Sequence, residues 1–136
     1  MKRTGTKKKG ILIDSCGWIE YFSDAKAADE YGKYIEKANP HDHVSPSIVL
    51  YEVYKKIKST VSEEEAMRAV AYIRSSTEMI DLTDSIALTA ADISIRERLP
   101  MADSIIYATA KIVDATVVTS DGDFKNLPNV IFIENK

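Results

Sequence analysis

Apolar and polar positions are grouped along the chain in a way that predicts alternating strands and helices. Short, nearly continuous apolar or β-branched runs predict strands at residues 10–14, 79–82, 115–119 and 130–133, and a brief further strand at residues 43–45. Runs without polar interruption are typical of strands that are buried on both faces of a parallel sheet.

The segments between these runs have helical patterns and recognisable ends. Helices are predicted at residues 16–22, 25–38, 48–59, from 62 onward, 85–98 and 102–113. Ser47 is the predicted N-cap of the third helix, and Ser62, with Glu65 three residues later, predicts a capping box at the start of the fourth. Pro40 and Pro100 are the predicted breakers after the second and fifth helices.

Strands and helices therefore alternate through the whole sequence. This order predicts a three-layer α/β/α fold, with a central parallel sheet and helices on both faces. A length of 136 residues without a Pro-, Gly- or Ser-rich linker predicts one domain, residues 11–136, after a basic and flexible extension, residues 1–10.

The charge distribution changes the expectation for partners. The net charge is −3, but residues 1–10 carry five basic side chains and no acid, which leaves 13 basic and 21 acidic side chains elsewhere. Nucleic-acid affinity is mostly electrostatic, so the acidic remainder disfavours a generic nucleic-acid binder. If the chain handles RNA, metal ions and local cations must offset its field.

Composition also bears on the compartment. No apolar run approaches the ~20 residues of a membrane span. Cys16 is the one cysteine and cannot form an internal disulfide, and the basic N-terminal residues lack the apolar core of a secretory signal. We expect a cytoplasmic protein without membrane insertion, in which Cys16 is a small buried apolar side chain.

Candidate chemistry lies where strands end, since ligands of parallel sheets bind beyond the carboxyl ends of the strands. Asp14 closes the first predicted strand, and Asp121 and Asp123 follow the strand at residues 115–119. Asp103 lies in the first turn of the helix after Pro100. These acids are expected to converge at one edge of the sheet.

Each acid also has a purely structural interpretation. Asp14 or Ser15 could cap the following helix, Asp103 is favoured at a helix N-terminus, and Asp121 and Asp123 flank a Gly in a turn. Glu52 falls at the edge of the polar face in a helical projection, which favours a solvated side chain.

The joint pattern favours a cation site, because crowded carboxylates repel one another unless a cation lies between them. Oxygen-only ligands suit Mg²⁺ or Mn²⁺. His41 and His43 lack the further partners of a zinc site. Arg96 and Arg98 lie within a few residues of Asp103 and are candidate phosphate-binding side chains, with solvated helix ends as the alternative.

These motifs resemble the PIN-domain family, particularly the small VapC-type toxins of toxin–antitoxin pairs. The resemblance runs from about Ile11 to Ile133 and lies in an ordered set of short segments. They are Leu12-Ile13-Asp14-Ser15, Tyr51-Glu52-Val53, Ala102-Asp103-Ser104 and Thr119-Ser120-Asp121-Gly122-Asp123-Phe124.

The resemblance implies about five parallel strands and a role for Glu52 in the acidic site, against its helical projection. It implies that Asp14 and Asp103 are direct metal ligands and that Glu52 and Asp121 complete the catalytic cluster. Asp123 is a further candidate ligand, because family members vary in the acid they use after this strand. Thr119 or Ser120 would hydrogen-bond a ligand carboxylate or the scissile phosphate.

The function implied by the resemblance is Mg²⁺- or Mn²⁺-dependent endoribonuclease activity, with an RNA substrate, a homodimer and a cognate antitoxin. Two alternatives stay open. One is a PIN endonuclease of RNA maturation or quality control, which a neighbouring antitoxin gene would distinguish from a toxin. The other is a non-enzymatic phosphoacceptor receiver. Receivers have two adjacent acids after the first strand, whereas this chain has Asp14-Ser15 there.

Overall fold

The computed structural model describes residues 10–134, which form five strands and six α-helices, with a pair of helices between each two successive strands up to the fourth. The strands are β1 (Gly10–Ile13), β2 (His43–Pro46), β3 (Glu78–Ile80), β4 (Ala115–Thr119) and β5 (Val130–Phe132). The helices are α1 (Ser15–Phe22), α2 (Ala28–Ile35), α3 (Ser47–Thr60), α4 (Glu63–Ser76), α5 (Asp84–Glu97) and α6 (Met101–Val113), and a 3-10 turn spans Gly122–Phe124. The predicted extension, residues 1–10, lies outside the described residues except for Gly10.

The five strands form one parallel sheet in the order β3-β2-β1-β4-β5. In the central pairs, Leu12 on β1 lies opposite Val44 on β2 and Val117 on β4. The chain moves outward from β1 to β3 and then crosses back to β4, so the direction of winding reverses between β1 and β4. Open α/β sheets form their ligand crevice at such a reversal.

Helices flank the sheet on both faces, as the sequence predicts. Successive residues of a strand point to opposite faces. Leu12 and Ile13 are nevertheless both buried, and so are Val117 and Val118. The alternation of elements therefore gives the predicted three-layer α/β/α fold with a parallel sheet of five strands.

Two predicted helix caps have different outcomes. Ser62 caps α4 as predicted, because its side chain accepts the Glu65 N–H. The prediction that Ser47 caps α3 is wrong. The N-cap residue is Pro46, the last residue of β2, and Ser47 is already helical, with its hydroxyl directed to the Ile80 carbonyl. No loop residue separates β2 from α3, which leaves no place for a separate capping serine.

The contact between α1 and α2 depends on Gly17. A Cβ on Gly17 would lie 2.6 Å from Cδ1 of Tyr31 and 2.8 Å from Cγ2 of Ile13, and both of these side chains are buried. Overpacking of this kind costs about 1–3 kcal/mol. We expect Gly17→Ala to lower the free energy of unfolding by that amount in urea denaturation. Gly122→Ala is the control, since a Cβ there meets nothing within 4 Å; equal stability of the two variants would contradict this packing.

Candidate functional site

The candidate site lies at the carboxyl ends of β1 and β4, where the winding reverses. Asp14 follows β1 directly and caps α1, with its Oδ1 accepting the Ser15 N–H at 2.7 Å. Thr119, the last residue of β4, donates its hydroxyl to Asp14 Oδ2 at 2.7 Å. The interpretation of Asp14 as a helix cap and its interpretation as a site residue are thus compatible. The same carboxylate caps α1 and faces the rim of the crevice.

Asp14 is held in an unusual electrostatic environment. The residue is only 2% exposed, and the pKa of its carboxyl is raised to about 6, mainly by burial and to a smaller extent by the charge of Glu52. The hydrogen bonds from Thr119 and Ser15 act in the opposite direction. Asp14 therefore retains a proton at a pH where an ordinary aspartate is fully ionised.

Three further acids form a compact group at the same edge. Asp103, Asp121 and Asp123 each offer a carboxylate oxygen, and these oxygens all lie within 4.8 Å of one another. Asp103 comes from the first turn of α6. Asp121 begins the 3-10 turn and accepts the Asp123 N–H at 2.9 Å, which fixes the two acids relative to each other.

The crowding strongly affects Asp103. The pKa of its carboxyl is raised to about 8, first by burial and then by the negative charges of Asp121 and Asp14 and a hydrogen bond with Asp123. A group of acids in this state holds a proton at neutral pH unless another positive charge replaces that proton. The geometry therefore favours occupancy by a cation.

Glu52 reaches this edge from α3. The Ser15 hydroxyl donates to Glu52 Oε1 at 2.7 Å, and Glu52 is close enough to Asp14 to raise its pKa. The helical projection of α3 favoured a solvated Glu52 side chain. That prediction is wrong, because Glu52 is half-buried. All five predicted acids thus lie around one rim, with Asp103, Asp121 and Asp123 closest together.

The donor set fits a hard divalent ion. Carboxylate oxygens suit Mg²⁺ or Mn²⁺, which prefer oxygen ligands. Within residues 10–134, the group of side chains spaced to hold a metal contains no histidine or cysteine. Cys16 lies 3.5 Å from Asp14, but burial raises the pKa of its thiol, so it stays a neutral donor and not a thiolate ligand.

The predicted substrate-binding residues differ in position. Thr119 is buried behind Asp14, and its hydroxyl oxygen also accepts the Asp121 N–H. Ser120 is half-buried and accepts a hydrogen bond from Tyr31. Arg96 and Arg98 are exposed, and Arg96 lies 3.3 Å from Glu97. Their contact with a phosphate stays a prediction.

Three side chains near the acids had no functional role in the sequence analysis. Ser15 orients Glu52, Tyr31 bonds Ser120, and Cys16 contacts Asp14, Thr119 and Ser120 although it was expected to be only an apolar filler. The Tyr31–Ser120 pair is separated by 89 residues, so no local sequence pattern could indicate it.

Comparisons with known proteins identify the family. The chain matches the PIN domain over residues 11–130 and belongs to the PIN-domain family. A comparison with curated protein sequences finds no match.

Several solved structures share the fold. A toxin–antitoxin complex from Klebsiella pneumoniae has 24% identity and a TM-score of 0.73, covering 90% of this chain and 96% of that chain. The Sarcin-Ricin loop cleaving toxin VapC20 of Mycobacterium tuberculosis has 17% identity and a TM-score of 0.76, covering 89% and 97%. VapBC2 from Rickettsia felis, bound to a promoter DNA fragment, has 19% identity and a TM-score of 0.68, covering 90% and 96%.

The receiver alternative does not agree with these findings. Receivers of the flavodoxin-like type have the strand order 2-1-3-4-5, whereas this sheet has the order 3-2-1-4-5. Separately, no helix in residues 10–134 is long and apolar enough to cross a membrane.

Proposed function

We propose that this chain is a divalent-metal-dependent endoribonuclease that hydrolyses RNA phosphodiester bonds as the toxin of a VapBC-type toxin–antitoxin pair. The observation that carries the proposal is the convergence of carboxylates from separate segments at one edge of a PIN fold. Their positions are Asp14 after β1, Glu52 on α3, Asp103 on α6, and Asp121 and Asp123 after β4.

The chain's own residues supply a preorganised cation site. Asp103, Asp121 and Asp123 would hold Mg²⁺ or Mn²⁺ with Asp14 beside them, since their oxygens are already close and Asp14 is fixed by two strong hydrogen bonds. The Ser15 hydroxyl holds Glu52 next to this group. A divalent ion held by these residues would lower the pKa of a bound water and would stabilise charge on the leaving oxygen.

An RNA substrate is supported by the family and by the name of the VapC20 toxin among the similar structures. The acidic rim would repel a phosphate without a cation, so binding depends on the metal and on a few basic side chains. Arg96 and Arg98 are our proposed phosphate contacts, because both precede Asp103 closely and are exposed.

An antitoxin partner is supported by the similar toxin–antitoxin complexes. The homodimer is a proposal that the exposed apolar surface of this chain supports. A cytoplasmic location accords with such a pair. The surface includes large apolar side chains that are mostly exposed, and a bound partner would bury them. They include Tyr51, Leu82, Leu88, Ile95 and Met101.

Cleavage of end-labelled RNA by the purified chain tests the activity. We expect cleavage with Mg²⁺ or Mn²⁺ and none after chelation with EDTA, because the divalent ion is the group proposed to activate water and to stabilise the leaving oxygen. Cleavage that persists in EDTA, or no cleavage of total cellular RNA with either ion, would contradict the proposal. Expression in cells, followed by mapping of new RNA ends, would identify the target. Neutralisation by the product of a neighbouring small gene would distinguish a toxin from a maturation nuclease.

A further inference from the structure

Tyr31 connects helix α2 to the acidic site although α2 contributes no acid to it. The tyrosine is 0% exposed, and its ring packs against Gly17 on α1. Its hydroxyl donates to Ser120 Oγ at 2.8 Å. Ser120 lies between Thr119, which bonds Asp14, and Asp121, which belongs to the group of three acids.

Cys16 completes the connection to Asp14. Its sulfur lies 3.4 Å from the Tyr31 hydroxyl oxygen, 3.7 Å from Ser120 Oγ and 3.5 Å from Thr119 Oγ1. It donates to Asp14 Oδ2 at 3.5 Å. One thiol therefore touches the tyrosine, both residues at the end of β4 and the carboxylate at the end of β1.

The available hydrogens give this network a direction. The thiol hydrogen of Cys16 goes to Asp14, and the hydroxyl hydrogen of Tyr31 goes to Ser120. Each of these groups has a single hydrogen to donate. The Ser120 hydrogen is then left for the Cys16 sulfur. The chain runs from Tyr31 through Ser120 and Cys16, and it ends on Asp14.

The Tyr31 hydroxyl is the first donor of this network, and the Asp14 carboxylate is its last acceptor. A partner behind a ligand that fixes its orientation strongly affects metal affinity. The network has the form of such a support.

We propose that Tyr31 is a positioning residue for the cation site: through Ser120 and Cys16 it fixes the Asp14 carboxylate and the segment leading into Asp121. The inference rests on the proposed function, because it needs a divalent ion at these acids. A tyrosine that served only the core would stabilise the fold without changing the affinity for the ion.

Tyr31→Phe separates these two roles, since it removes the hydroxyl and keeps the ring. We expect the Kd for Mn²⁺, measured by titration calorimetry on the purified chain without RNA, to rise about 10-fold. In RNA cleavage at a Mn²⁺ concentration near the wild-type Kd, kcat should fall while KM for RNA stays near the wild-type value, because the change acts on the metal site and not on the RNA-binding surface.

Tyr107→Phe is the matched control. Tyr107 is also buried, and its hydroxyl donates to the Pro128 carbonyl at 2.6 Å with no link to Asp14 through the network. We expect it to lose thermal stability without loss of Mn²⁺ affinity. A wild-type Kd in Tyr31→Phe, or an equal loss of affinity in both variants, would overturn the inference and leave the proposed nuclease function intact.

Ser120→Ala breaks the same link from the other side and serves if Tyr31→Phe fails to fold. We expect a similar rise in the Kd for Mn²⁺, and an unchanged Kd would reject the inference. Absence of Mn²⁺ binding by the wild-type chain would reject both this inference and the proposed function.

Discussion

Asp103→Asn is expected to reduce metal-dependent RNA cleavage by roughly 100-fold or more while the chain stays folded, since loss even of residues supporting metal ligands costs 10- to 100-fold. Asp103 is the most strongly perturbed acid of the site, and its oxygen lies within 4.8 Å of those of Asp121 and Asp123. An amide of the same shape removes the negative charge that attracts the ion. It also removes repulsion, so the metal-free fold should not suffer.

The measurement is the initial rate of RNA cleavage at saturating Mn²⁺, with circular dichroism to verify folding. Asp14→Asn should also lose cleavage and should stay folded, because asparagine is an equally good helix cap. Asp114→Asn is the matched control: Asp114 precedes β4 and so lies at the opposite edge of the sheet, and asparagine tolerates its left-handed backbone (φ 61°). Undiminished cleavage by contaminant-free Asp103→Asn protein would reject the site assignment.

The fold was predictable because burial is recorded directly in the strand sequences. The run at residues 115–119 is apolar or β-branched throughout and forms β4 with the predicted bounds. A strand covered on both faces needs no polar alternation, so its sequence differs from that of an amphipathic helix. Apolar residues on most sides likewise identify α6 as a helix that packs against several neighbours.

Helix ends were less predictable than helices. Ser47 and Ser62 are both serines before an apolar periodic segment, yet only Ser62 caps its helix. The difference lies in the preceding chain. Ser62 follows a turn and has an extended backbone. Ser47 directly follows the last residue of β2 and is already helical. That direct connection is a property of the sheet rather than of the local sequence.

The site was predictable where it follows from topology. Asp14 and Asp121 lie at strand ends, and parallel strands bring their carboxyl ends to one edge. Glu52 required a family resemblance, because a projection of α3 alone does not contain the neighbouring Ser15 and Asp14. Tyr31 could not be anticipated at all, since its role depends on how closely α2 packs against Gly17 on α1.

The metal-free protein is expected to lose stability as the pH rises from about 4 to about 8. Asp14 and Asp103 have carboxyl pKa values near 6 and 8, above the usual 3.8. The folded state therefore binds more protons than the unfolded state in this range, and stability decreases with pH. For the fully buried Asp14, the loss is on the order of 3 kcal/mol.

Urea denaturation at pH 5 and pH 8 in EDTA, and again with Mn²⁺, measures this effect. A bound divalent ion replaces the protons, so Mn²⁺ should restore stability far more at pH 8 than at pH 5, with release of protons on binding. Asp103→Asn should flatten the pH dependence in EDTA and weaken the response to Mn²⁺, whereas Asp114→Asn should leave the response to Mn²⁺ unchanged. Metal-free stability that is equal or greater at pH 8 would show that neither burial nor mutual repulsion raises the pKa values of these acids in the fold. The residues proposed for catalysis would then lack the electrostatic cost that makes a cation necessary.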